Sequence, residues 1–237
     1  MKERSVSITP RLRAALEMLE GFNTIADIGC DHGRLTAALL QRNTCVRVIA
    51  SDISEPSLQK ARLLVDHIGL GSHVSFRAGD GCTVLNPGEC DAIALLGMGG
   101  TLMCRILDDC ALPLMGAKAV VLQPMRAQDD IRSYLHRNLY RITDDRVVYD
   151  HGRYYQVFKA EPGEARESFP NGFPIDFFDV GYRSFSLRDA NLPALCLQQL
   201  ACHQKMMRAA AGTDGESVLN RKINALHQIL KAFQKEN

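Results

Sequence analysis

The feature that most constrains this chain is a repeated alternation in its first half. Five short apolar runs, Thr24–Gly29, Val46–Asp52, Val74–Asp80, Asp91–Gly97 and Ala119–Pro124, each close on glycine, aspartate or proline. Helical patterns stand between or after them. Leu35, Ala38 and Leu39 recur at helical spacing behind the first run. Behind the second, Ser54 suits an N-cap, Glu55 and Pro56 suit a first turn, and Leu58, Ala61, Val65 and Ile68 form a stripe that Gly69 ends. Segments Thr101–Leu112 and Gln128–Asn138 complete the series. Strands apolar on both faces, interleaved with amphipathic helices, require right-handed crossovers and a parallel sheet covered on both sides.

The rhythm then changes. Residues 141–160, RITDDRVVYDHGRYYQVFKA, hold two strand-like runs with only a turn around Asp150–Gly152 between them, which predicts an antiparallel hairpin at one sheet edge. Five β/α steps closed by a hairpin are the pattern of an α/β fold of the class I methyltransferase type, a Rossmann-like sheet. Residues 1–160 are expected to form that unit. Residues 161–191 carry Pro162, Pro170, Pro174 and five phenylalanines, too apolar for a free linker, and are expected to be a packed connector. In residues 192–237, Cys196, Leu200, His203, Met207 and Ala210 face Leu219, Ile223, Leu226, Leu230 and Phe233 across Gly212–Gly215. These seams predict an antiparallel helical hairpin with coiled-coil packing, His203 keeping a ring edge exposed.

Composition bounds the rest. With 237 residues, 46% hydrophobic and 23% charged, the chain supports one good core and a small appendage. A net charge of +1 makes no case for general nucleic-acid binding but permits a local basic face. The opening MKERSVSITPRL has no apolar core of a secretory signal, and no run reaches membrane-spanning length, so a cytoplasmic location without membrane association is expected. The eight cysteines form no CxxC pair and are expected to be reduced, buried thiols; no ligand spacing suggests a metal.

The chemistry concentrates in DIGCDHGRL, Asp27–Leu35. A dinucleotide fingerprint uses its second glycine to bring backbone against a pyrophosphate. Here Asp31 stands in that run, and its carboxylate would repel a diphosphate. S-adenosylmethionine carries no phosphate, bears sulfonium and ammonium groups, and still needs close backbone. Gly29 and Gly33 suit the approach, and Asp27 and Asp31 suit the amino group or its water shell. Asp52, ending the second strand, suits the ribose hydroxyls. Asp80, within Gly79–Gly81, suits the adenine amino group. Cys30, Ile53 and Gly81 adjoin these acids and complete the expected cofactor wall. One Asp-x-Gly alone is a common turn, and Asp52 alone could cap a helix; three acids closing successive strands converge on one ligand.

The fourth strand ends in Gly97-Met98-Gly99-Gly100, with no polar-Pro-Pro-aromatic tetrad for an exocyclic amine. Backbone and Met98 are therefore expected to line the acceptor pocket, although glycines also permit a plain strand-to-helix turn. ADIGCDHGRL, GDG, GMGG, LQP, GRYYQVFKAEP and ITPRL together resemble the bacterial tRNA (adenine-22-N1)-methyltransferases, the TrmK family, over essentially the whole chain. The resemblance implies methyl transfer from S-adenosylmethionine to N1 of a tRNA adenine in the D-arm region. It implies that Asp27, Gly29, Asp31, Asp52, Asp80 and Gly97 hold the cofactor, and that Arg11, Asp31, His32, Met98–Gly100 and Gln123–Pro124 surround the base. It departs from the family at Met125, where asparagine commonly follows Gln-Pro, and its terminal hairpin is not notably basic.

Adenine N1 keeps a free lone pair at neutral pH, so the expected reaction is an in-line displacement resting on alignment. Asp31 would stabilise the cationic product and His32 would orient, with Met98 and Gly99 against the reacting groups. N1 lies on the Watson–Crick edge, so the base must leave its stack. RNA contacts are expected from Arg11, Arg13, Arg34 and Arg126, with Lys2 and Arg4 nearby; no obligate protein partner is evident. The alternatives are a small-molecule methyltransferase on the same scaffold and a non-catalytic, cofactor-responsive RNA-binding module. A nicotinamide oxidoreductase is a poor fit because of Asp31.

Overall fold

The structure, a computed structural model, describes residues 6–110, 116–163, 170–175, 177–210 and 212–235. Lys2, Arg4 and Leu112 of the sequence reading lie outside them. Seven strands form one sheet: β1 (Thr24–Ile28), β2 (Arg47–Asp52), β3 (Val74–Ala78), β4 (Ala92–Gly99), β5 (Ala119–Arg126), β6 (Tyr140–Asp150) and β7 (Arg153–Pro162). Their order is β3-β2-β1-β4-β5-β7-β6, with β1 to β5 parallel and β7 antiparallel to both neighbours. The order reverses between β1 and β4, which opens the crevice where such sheets take ligands.

Strand periodicity divides the core in two. Ile28, Ile93, Leu95, Val120 and Leu122 point to one face, and Ile25, Ala92, Ala94, Ala119 and Val121 to the other. The second face is covered by α1 (Pro10–Met18), α2 (Arg34–Gln41) and α3 (Glu55–His67). Thr9 caps α1 by accepting from the Leu12 N–H at 3.4 Å, and Pro10 opens its first turn, a start signal that periodicity in so short a segment hides. Ser54 caps α3 as expected, accepting from the Ser57 N–H at 3.3 Å.

The first face is covered by α4 (Gly100–Cys110) and α5 (Gln128–Arg137), and then by the C-terminal third. The connector contributes Phe173, Phe177, Val180 and the short α6 (Tyr182–Ser186). Helices α7 (Leu192–Ala210) and α8 (Asp214–Lys235) add Leu195, Cys196, Leu200, Leu226 and Ile229 to the same cluster. A buried ion pair ties α5 to β6: Arg132 donates to both carboxylate oxygens of Asp145 at 2.8 and 2.9 Å and to Gln156 at 2.9 Å. Lys222 of α8 bridges Asp129 at 2.7 Å and Asp179 at 2.9 Å.

Two expectations are corrected. His203 does not leave a ring edge in water: it is 7% exposed, with Nε2 3.8 Å from Asp179, because the hairpin lies against the sheet domain rather than standing free. The cysteines are not all reduced and buried. Cys82 and Cys110 form a disulfide with Cα atoms 5.1 Å apart, joining the turn after β3 to the end of α4, while Cys202 is an exposed free thiol. Spacing cannot reveal a pair that meets only through tertiary packing. Among the described residues, no helix is long and apolar enough to cross a membrane, and no group of three or more His, Cys, Asp or Glu side chains could hold a metal.

Candidate active site

The carboxyl ends of β1, β2, β3 and β4 surround a cleft of about 610 Å³. Gly29, with φ of 74°, ends β1, and its N–H donates to the Ser51 carbonyl of β2 at 2.8 Å. A methyl group on Gly29 would overlap the terminal methyl of Met98, so the glycine lets the β4 tip close over the β1 turn. Asp31 also sits in the left-handed region, at φ of 48°, and its N–H donates to Asp52 Oδ2 at 3.0 Å. The other Asp52 oxygen accepts from the Ser54 N–H at 2.8 Å. Asp52 thus organises both loops while facing the cleft.

Asp27 is 3% exposed and accepts from the Thr36 hydroxyl at 2.7 Å. Burial pushes its pKa up to about 6, against the opposing pull of the Thr36 hydrogen bonds. Burial, reinforced by the Asp27 and Asp52 charges, also pushes the Cys30 thiol up, so it stays neutral. At the rim, His32 Nδ1 lies 3.4 Å from Asp31 Oδ2, and its Nε2 lies 3.2 Å from Lys60 Nζ. Asp80 follows β3 and meets Arg105 of α4 at 3.4 Å.

The glycines after β4 divide their work. Leu96 pairs with Gln123 and Met98 with Pro124, which leaves Gly97 as a bulge with φ of 75° and turns Met98 toward Gly29. Gly100 begins α4 against the Ala127 carbonyl, where no side chain fits.

Of the residues singled out in the sequence, Arg11, Asp27, Gly29, Cys30, Asp31, His32, Arg34, Asp52, Ile53, Asp80, Gly81, Gly97, Met98 and Gln123 line this one cleft. Four others do not. Gly33 caps α2 and lies beneath it, where a methyl would come within 2.7 Å of the Ala61 methyl. Gly99 sits under the Arg126 side chain, and neither residue lines the cleft. Arg13 borders a separate shallow recess with Glu17 and Arg146. Arg11 lines the cleft but is not a free cation: it donates to Asp150 at 2.7 Å and its guanidinium stacks 4.3 Å from the Tyr155 ring centre. The sequence reading missed Thr9, Leu12, Leu102, Arg105 and Ile106. Those on α4 share one helix face, Arg105 and Ile106 lying three and four residues beyond Leu102, a periodicity that could have found them.

The parallel order with a terminal antiparallel hairpin, and a nucleoside-sized cleft bounded by acids and glycine backbone, define the class of the protein. Residues 8–158 match the family described as Methyltransferase domain. The chain is also 33% identical over 159 residues to the tRNA (adenine(22)-N(1))-methyltransferase of Bacillus subtilis, covering 67% of each chain. It superposes on the crystal structure of the B. subtilis m1A22 tRNA methyltransferase TrmK with a TM-score of 0.79 and 27% identity, over 98% of this chain and 99% of that one. The Streptococcus pneumoniae protein Sp1610, solved in complex with S-adenosyl-L-methionine, shares the fold with a TM-score of 0.79 at 23% identity, over 94% of this chain and 100% of that one. The chain belongs to the methyltransferase family and, within it, to the tRNA (adenine(22)-N(1))-methyltransferases.

Proposed function

We propose that this protein transfers a methyl group from S-adenosylmethionine to N1 of an adenine in tRNA, nucleotide 22 as in the name of its Bacillus relative. The observation that carries the reading is the convergence of Asp27, Asp52 and Asp80, from three successive strand ends, on a cleft whose far wall is the Gly97 bulge and Met98. Asp27 is the most telling of them. It is a buried acid whose hydrogen bonds among the described residues come from the Thr36 hydroxyl and backbone, not from a cation, so a ligand ammonium would offset its burial. Asp31, over the turn into α2, opposes a diphosphate at the same place.

In this reading Asp52 holds the ribose hydroxyls, Asp80 the base, and Asp27 with Asp31 the amino-acid end of S-adenosylmethionine. When bound, that cofactor supplies an electrophilic methyl group. Half-buried Met98 and the Gly97 backbone wall the acceptor side and position the base against the methyl group. The exposed Asp31 carboxylate offsets the positive charge that adenine gains on N1 methylation, and His32, held between Asp31 and Lys60, orients it. The base must be turned out of its stack to reach this depth, at about a few kcal/mol. Arg34 and Arg105, exposed at the cleft, are the cations best placed to meet phosphates, which makes binding fall steeply with salt. A cytoplasmic site of action, with tRNA as macromolecular partner, belongs to the same proposal.

The test is incubation with unmodified tRNA and labelled S-adenosylmethionine, followed by mass mapping of the modified nucleoside. N1-methyladenosine at position 22 is expected. Methyl transfer to a small molecule without RNA, or cofactor and tRNA binding without product, would overturn the assignment.

A further inference from the structure

The cleft floor on the β5 side holds a polar side chain with a fixed orientation. Gln123 is 3% exposed yet borders the cleft beside Leu96 and Met98. Its Oε1 accepts from Arg11 Nη1 at 3.3 Å. Its Nε2 donates to the Pro124 carbonyl at 3.1 Å and toward the Met125 sulfur at 3.5 Å. Both amide hydrogens are therefore engaged, while Oε1 keeps one lone pair. The amide cannot be reversed, because guanidinium has only donors and would then face an NH2 group.

Arg11 is itself fixed from two sides. Asp150, whose side chain is 2% exposed, accepts from its Nε at 2.7 Å, and the Tyr155 ring lies under its plane at 4.3 Å. Burial alone would raise the Asp150 pKa, but its hydrogen bonds to Arg11 and His151 hold the carboxyl below its usual range, so it stays charged. The β6–β7 hairpin thus sets the direction of an amide on β5 through a side chain of α1.

We propose that Gln123 selects the target base by accepting a hydrogen bond from its exocyclic amino group, with Arg11 and Asp150 as positioning residues that keep the amide oxygen toward the cleft. The inference rests on the adenine-N1 reading above and deepens it. Adenine presents an amino donor beside the N1 lone pair. An amide offering its NH2 would donate to N1 and occupy the nucleophile; one offering its oxygen engages the amino group and leaves N1 free. Guanine places a carbonyl where adenine has its amino group and carries a proton on N1, so the same oxygen rejects it. Met125 fits this arrangement because its sulfur takes the second Gln123 hydrogen and a further contact from Arg11 at 3.3 Å.

The experiment compares tRNAs carrying adenosine or purine riboside, which lacks the amino group, at the methylated position. For each protein the ratio of kcat/KM values is measured, so the lower intrinsic reactivity of purine cancels between wild type and variant. Gln123→Met should shrink the wild-type ratio by about tenfold or more, as expected for one hydrogen bond and an otherwise unsatisfied acceptor. Asp150→Asn should shrink it in part, while Asp150→Glu should preserve it. The wild-type protein should also process N6,N6-dimethyladenosine at that position at least about tenfold more slowly than adenosine. That measurement stands even if a buried variant fails to fold. An unchanged ratio in a folded Gln123→Met protein, or equal rates on adenosine and its dimethyl analogue, would overturn the inference while leaving N1 methylation intact. Absence of N1-methyladenosine from the wild-type reaction would remove both.

Discussion

Replacing Asp27 by asparagine should stabilise the unliganded protein near neutral pH and weaken its hold on the cofactor. Burial lifts the pKa of Asp27 from its usual 3.8 to about 6, so the folded state binds the proton more tightly than the unfolded chain does. The stability contributed by the protonated form is complete below the unfolded value and is lost as pH rises through 6. Above that point the ionised group costs about 3 kcal/mol, roughly two pKa units at about 1.4 kcal/mol each. Asparagine keeps an acceptor for the Thr36 hydroxyl and carries no charge to desolvate. Asp27→Asn should therefore match wild type near pH 4 and exceed it by up to about 3 kcal/mol near pH 8, roughly 6–12 °C in Tm for a chain of this size. Urea unfolding across that range measures the difference. Calorimetry should show the opposite sign for S-adenosylmethionine: weaker binding by the variant near pH 8, and wild-type affinity that declines below pH 6. A variant no more stable than wild type near pH 8, or a gain independent of pH, would refute the reasoning.

Other perturbations separate further roles. Asp52→Ala should weaken S-adenosylmethionine binding by about tenfold or more, with thermal melting checking the loops that Asp52 organises; unchanged calorimetric affinity would remove it from the ribose site. Gly100→Ala should destabilise by at least about 2 kcal/mol, because the methyl meets the Ala127 carbonyl, whereas Gly97→Ala, with open space and only a φ of 75° to oppose it, should lose about 1 kcal/mol; equal melting shifts would contradict that contrast. Asp145→Ala leaves Arg132 buried without its carboxylate and should cost about 3–5 kcal/mol in denaturant unfolding. Alkylation of the denatured, unreduced protein should label six of the eight cysteines, and all eight after dithiol reduction. Closing a loop of 28 residues between Cys82 and Cys110 should add about 3–4 kcal/mol of stability relative to the reduced chain.

The local signals were strong where the chain decides its own conformation. Apolar runs at β1 to β5, the Ser54 cap and the turn at Asp150–Gly152 reflect backbone sterics and side-chain periodicity, which operate within a dozen residues. The acids at the strand ends were legible for the same reason: once strands are parallel, their carboxyl ends share one edge, and residues far apart in the chain line one cleft. Partnerships were not legible. Nothing in the sequence says that Arg11 meets Asp150 and Gln123, that Gly33 packs on Ala61 instead of lining the cleft, or that Cys82 reaches Cys110. Nor does it say that His203 is buried against Asp179 because connector, hairpin and sheet share one core. Such contacts depend on the relative placement of whole elements, which is set by the summed packing of a core and not by any local run of residues. The sequence by itself determined the strands, their direction and the chemical character of the cleft; the tertiary structure alone decided which side chains remain free to face a ligand there.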